Sequence, residues 1–242
     1  GSDVCSSDLK AFLICNPGNP TGYLYSKEEI LQLAAIAKKH DIFLIFDEVY
    51  REFVYDGATH YSIMQVEGIE QNAIMIDSVS KRFSMCGARI GWVVSKNKEV
   101  MKSILKFAQA RLSPPTYSQI GAERAFDVPE TYFEEVLKEY TQRRNVLIEE
   151  LQKVQGVRVS MPKGAFYCIA ELPVENAEDF CIWLLDNFSV NNETVMLAPA
   201  EGFYATEGLG RNQVRIAYVL EKEKIVKAIH ILADALKKYN NS

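Results

Sequence analysis

Ile42-Phe43-Leu44-Ile45-Phe46-Asp47-Glu48 is an unbroken apolar run that stops at two carboxylates. Five successive apolar residues leave no polar face, so the run suits a strand covered on both sides, as in a parallel sheet. Ala11-Phe12-Leu13-Ile14-Cys15 and Ala73-Ile74-Met75-Ile76 repeat the pattern. Between the first two runs, Ser26-Lys27-Glu28-Glu29 has the spacing of a capping box and opens an amphipathic stretch to about His40. Strand, helix and strand make one βαβ unit. Residues 56–71 are irregular. A fourth strand over 92–95 follows a connection too short for a crossover and without helical period, which predicts an antiparallel edge.

Farther along, the pattern predicts helices over 98–111 and 116–126, interrupted by Ser113-Pro114-Pro115. Asp127-Val128-Pro129-Glu130 reads as the start of a long helix reaching about Val154. Strands over 157–160, 165–171, 195–198 and 213–219 then alternate with helices over 177–187 and 221–239, the texture of a small α+β domain. The expected architecture is α/β: a partial large domain with a mainly parallel sheet over 10–130, and a smaller C-terminal α+β domain over 131–242. Residues 1–9, Gly-Ser-Asp-Val-Cys-Ser-Ser-Asp-Leu, lack the apolar core of a signal peptide and read as a non-native leader.

Composition narrows the classes. The 242 residues carry 27 basic and 32 acidic side chains, a net charge of -5, which gives no electrostatic footprint for nucleic acid or anionic lipid. No apolar run is long enough to span a bilayer. Five scattered cysteines form no C-x-x-C pair, which argues against a disulfide framework or zinc site and fits a reducing cytoplasm. The three histidines, His40, His60 and His230, are not at metal-ligand spacing.

The polar residues follow the strands. Asn16-Pro17-Gly18-Asn19-Pro20-Thr21-Gly22 follows the first run, Asp47-Glu48-Val49-Tyr50 ends the second, and Asp77-Ser78-Val79-Ser80-Lys81 ends the third. Ligands of open α/β sheets bind outside the carboxyl ends of the strands, so three segments converge on one crevice. Lys81 is crowded by hydroxyls and followed eight places later by Arg89. With an acid and a phenol nearby, it suits a lysine that holds an aldehyde cofactor as a Schiff base. Each segment alone also fits a plainer role: turn chemistry for the Asn-Pro-Gly run, a capping or solvated acid pair, a solvated loop, a surface arginine. Their combination favours a site.

With Gly164-Ala165-Phe166-Tyr167 and the Arg215 of Val214-Arg215-Ile216-Ala217, these segments resemble, from about residue 10 to the C-terminus, the class I/II pyridoxal-5'-phosphate-dependent aminotransferases of the aspartate aminotransferase fold type. The resemblance implies that Lys81 forms the Schiff base with pyridoxal 5'-phosphate and carries the proton of the 1,3-shift. Asp47 pairs with the ring nitrogen, and Tyr50 and Asn19 reach the ring oxygen. Ser78, Ser80 and Arg89 bind the phosphate. Arg215 clamps the substrate α-carboxylate, with Asn19 beside it. Arg111 reaches the distal carboxylate of a dicarboxylic substrate in a neighbouring subunit, or is a helix-end surface group. Phe166 and Tyr167 fit either a pocket wall or core packing. The implied substrates are an aspartate-like amino acid and a 2-oxo acid, and the implied assembly is a cytoplasmic homodimer. Family members are longer, with the difference upstream of the first strand, so the chain is expected to be truncated. A lyase using the same cofactor, or an inactive fragment, stays open.

Overall fold

The computed structural model describes residues 9–241. The leader expected over 1–9 lies outside them except for Leu9, which packs against the core of the first sheet. The chain divides into two compact units: one runs to Gly18 and resumes over Tyr23–Phe133, the other comprises Asn19–Gly22 and the chain from Glu134 onward.

In the first unit, β1 (Ala11–Cys15), β2 (Phe43–Asp47) and β3 (Ala73–Ser78) are parallel neighbours, and β4 (Gly91–Val94) closes the sheet antiparallel to β3. The register pairs Cys15 with Asp47 and Asp47 with Ile76, so the three parallel strands release their polar segments at the same end. Helix α1 (Lys27–His40) begins with a complete capping box. Glu29 N donates to Ser26 Oγ at 3.2 Å and Ser26 N to Glu29 Oε2 at 2.7 Å. Its residues Ile30, Ala34 and Ala37 recur at helical spacing and are buried in one cluster with Leu44, Phe46, Ile63 and Met75. The connection 77–90 does contain a helix, α2 (Val79–Arg82), which the sequence pattern missed because four residues are too short to show a period. A smaller apolar cluster of Val79, Phe83 and Ala122 lies against Trp92 and Phe133. Helix α3 (Lys98–Arg111) buries no side chain, and Phe107, Leu112 and Tyr117 are 77%, 77% and 90% exposed. Helix α4 (Thr116–Ala125) follows the two prolines.

The second unit holds an antiparallel sheet in the order β5 (Arg158–Val159), β6 (Tyr167–Glu171), β8 (Gln213–Ala217), β7 (Ala198–Pro199). Its strands are shorter than the apolar alternation predicts. The strand expected over 195–198 is displaced to Ala198–Pro199, which pair with Arg215 and Val214 of β8. Helices α5 (Glu130–Lys153), α6 (Ala177–Asn187) and α7 (Lys222–Asn240) bury Leu147, Leu151, Phe180, Leu184, Ile229 and Leu232. The short Asn19–Gly22 turn joins this unit because Lys163 N and Gly164 N both donate to Gly22 O at 2.9 Å. A Cβ at Gly22, whose φ is +69°, would sit 2.5 Å from Pro162 Cβ and 2.7 Å from Tyr167 O, so only glycine fits there. No described helix is long and apolar enough to cross a membrane.

Candidate active site

Asp47 is the last residue of β2, and its carboxylate accepts one hydrogen bond, from Val49 N at 3.1 Å. Among the described residues no cation pairs with it. Burial raises its pKa, with the Val49 N–H pulling the other way. Tyr50 follows in the turn after the strand and is 4% exposed. Lys81 is half-buried in the short helix that leaves β3, with Nζ 6.0 Å from the centroid of the Tyr50 ring. Ser78 caps that helix by accepting from Ser80 N at 3.2 Å. Arg89 is exposed, in the left-handed region at φ 57°, and its Nη1 donates to Cys86 O at 2.9 Å.

Two polar clusters border these residues. Glu48 is fully buried, and its Oε1 accepts from Ser62 Oγ and Ile63 N, both at 2.9 Å. Its Oε2 lies 3.8 Å from His60 Nε2, which donates to Asn16 O at 3.2 Å in the neutral tautomer that this contact selects. Burial raises the Glu48 carboxyl against those hydrogen bonds. Burial, helped by Arg51, pushes the His60 imidazole down to about 4. In the second cluster, Asp77 and Arg82 are buried and Arg51 and Glu52 partly so, with Ser78 N donating to Asp77 Oδ1 at 2.7 Å. The sequence pattern marked Asn16 only as the start of the segment 16–22 and gave none of His60, Arg51, Glu52 and Arg82 a part. His60 meets a partner 44 residues away, which no local pattern can reveal.

In the second unit, Arg215 is the central residue of β8. Its guanidinium lies 4.8 Å from the ring centroid of Tyr167 and 5.3 Å from that of Phe203, and Nη1 donates to Asn19 Oδ1 at 3.1 Å. Asn19 thus meets Arg215 through the turn that joins this unit. Phe203 was not legible as a partner of Arg215. Arg111 ends α3 exposed to solvent, and its side chain makes no hydrogen bond or ion pair among the described residues.

The family model described as aminotransferase class I and II matches residues 3–232. The chain belongs to that family. It is 31% identical to an aspartate aminotransferase of Pyrococcus horikoshii over 96% of this chain and 58% of that protein. It is 33% identical to an aspartate aminotransferase of Bacillus sp. strain YM-2 over 94% of this chain and 57% of that protein. Among solved structures, an aromatic aminotransferase from Pyrococcus horikoshii superposes with a TM-score of 0.83 at 30% identity, covering 97% of this chain and 61% of that one. The chain therefore has the α/β fold with a mainly parallel sheet expected of this family, and spans about three-fifths of the length of the relatives it matches.

Proposed function

We propose that this chain is the greater part of a pyridoxal-phosphate-dependent aminotransferase acting on an aspartate-like amino acid and a 2-oxo acid. The carrying observation is Asp47: a desolvated carboxylate, raised in pKa, that meets a single N–H and no cation among the described residues. A carboxylate so placed gains most from a protonated ring nitrogen, and the amine of Lys81, the phenol of Tyr50, the hydroxyls of Ser78 and Ser80 and the guanidinium of Arg89 are the donor types the cofactor would need.

Pyridoxal phosphate, when bound, supplies an electron sink for the pair released at the substrate α-carbon. Asp47 would hold the proton on the ring nitrogen, and the Tyr50 hydroxyl would donate to the ring oxygen, with Asn19 proposed for the same oxygen. Ser78, Ser80 and Arg89 would bind the phosphate, the guanidinium offering paired donors. Lys81 would take the proton from the substrate α-carbon as a neutral amine and deliver it as an ammonium. Arg215 would receive the α-carboxylate in its fork, with Asn19 fixing one arm. Arg111 is proposed for the distal carboxylate, acting in the site of a second copy within a cytoplasmic homodimer. The names of the relatives, aspartate and aromatic aminotransferase, support an amino-acid substrate.

The test is reduction of the chain with borohydride in the presence of pyridoxal phosphate, followed by peptide mass analysis. A phosphopyridoxyl mass on Lys81 is expected, as is conversion of the cofactor to its amine form by aspartate. Absence of the mass from Lys81 overturns cofactor binding by this chain. Release of ammonia and pyruvate from an amino acid with a β-leaving group, such as serine, without the amine form would replace transamination by elimination.

A further inference from the structure

Arg51, Glu52, Asp77 and Arg82 form a closed ion cluster that the proposed reaction does not use. Arg82 Nη2 meets Glu52 Oε1 at 2.8 Å and Asp77 Oδ2 at 3.4 Å. Arg51 reaches Glu52 Oε1 through Nε at 3.5 Å and Asp77 Oδ2 through Nη1 at 3.7 Å. Each cation therefore meets each anion. The Asp77 side chain is 0% exposed and that of Arg82 9%, which separates this cluster from screened surface pairs of little consequence. Loss of one member would leave a charge buried without its counterpart.

The order of these residues along the chain gives the cluster its meaning. Arg51 and Glu52 directly follow Tyr50, Asp77 directly precedes Ser78, and Arg82 directly follows Lys81. Helix α2 has only four residues, too few to hold its own shape, since helix nucleation is unfavourable. Something outside it must fix Lys81 relative to Tyr50. We propose that the four-residue cluster is a positioning clamp that locks the turn carrying Tyr50 to the helix carrying Lys81. Arg82 Nε is buried without a hydrogen-bond partner. The guanidinium thus forgoes one donor while a single nitrogen reaches both carboxylates. The link between the segments stands on these contacts alone, whereas its consequence for cofactor capture rests on the function proposed above.

Hydrogen exchange and borohydride trapping on the full chain test both parts, using Glu52→Gln, Arg82→Gln and Arg82→Lys. Glu52→Gln lies in the Tyr50 turn, yet amides 79–83 are expected to exchange at least about threefold faster, with the second unit unchanged. Arg82→Gln should loosen residues 50–53 and 79–83 together and cut phosphopyridoxyl trapping on Lys81 about tenfold at limiting cofactor. Arg82→Lys should restore at least half of both, because one nitrogen serves both carboxylates. Unchanged exchange at 79–83 in Glu52→Gln overturns the clamp, even where Arg82→Gln unfolds the chain. Trapping that falls in Arg82→Gln but stays low in Arg82→Lys, with exchange normal in both, also overturns it. Faster exchange at 79–83 in Glu52→Gln, with no trapping even in the parent chain, keeps the clamp and sinks the cofactor reading instead.

Discussion

In the first unit Arg82 lies buried against two carboxylates; in the second, Arg215 lies against two aromatic rings with no carboxylate beside it among the described residues. Both side chains are fixed, but by opposite means. Carboxylates cancel the charge of a guanidinium and occupy its N–H edge. Rings hold its faces through the quadrupole and leave that edge open. Among the described residues, the guanidinium of Arg215 makes one hydrogen bond, to the neutral amide of Asn19, so its charge is undiminished. An arginine held by rings and an amide keeps an N–H edge that can meet an anion, whereas one held by acids has already found its own.

The largest effect belongs to Lys81→Ala, which should eliminate the trapped adduct and lower transamination at least about a thousandfold, read by coupled assay on the loaded enzyme. Arg215→Gln should cost about 2–5 kcal/mol in kcat/KM for the amino acid while leaving trapping on Lys81 intact. Arg82→Gln should reverse that pattern, lowering unfolding free energy by about 3 kcal/mol in urea, where Arg215→Gln costs less than about 0.5 kcal/mol. Equal stability losses in the two variants would abolish the distinction between them.

His60 gives a pH signature. Its folded pKa of about 4 lies below the usual value of 6.5, so the folded chain binds fewer protons and loses stability as pH falls from 6.5 towards 4. Glu48 has the opposite sign: its raised pKa costs stability as pH rises through it. The unfolding free energy of the parent measured relative to His60→Gln in urea, a difference in which the Glu48 contribution cancels, should therefore decrease as pH falls across that acidic window, by at most about 3 kcal/mol. The smallest effect is Phe203→Leu, which removes one ring from Arg215 and should raise KM severalfold, about 0.5–1 kcal/mol, with kcat nearly unchanged.

The parallel strands were legible because each is a continuous apolar run, and α1 because Ser26 and Glu29 mark its start. Asp47 and Lys81 were legible as candidates because the groups proposed for the site follow strand ends, where topology brings separate segments together. Arg82 was not, since the run Lys81-Arg82 looks like two solvated cations until Glu52 and Asp77 are brought beside them. Phe203 was hidden for the same reason: its contact with Arg215 depends on a turn between β7 and β8 that has no period. What remains local in sequence can be read there; what a distant charge or ring supplies cannot.

Arg89 occupies a backbone conformation that costs a non-glycine residue about 1 kcal/mol. Glycine would adopt it freely, so a laboratory selection for heat tolerance should favour Arg89→Gly. On the role proposed for Arg89, the hardier protein would let its vitamin-derived ligand wash out on dialysis. Ruggedness and ligand retention thus pull this one codon in opposite directions.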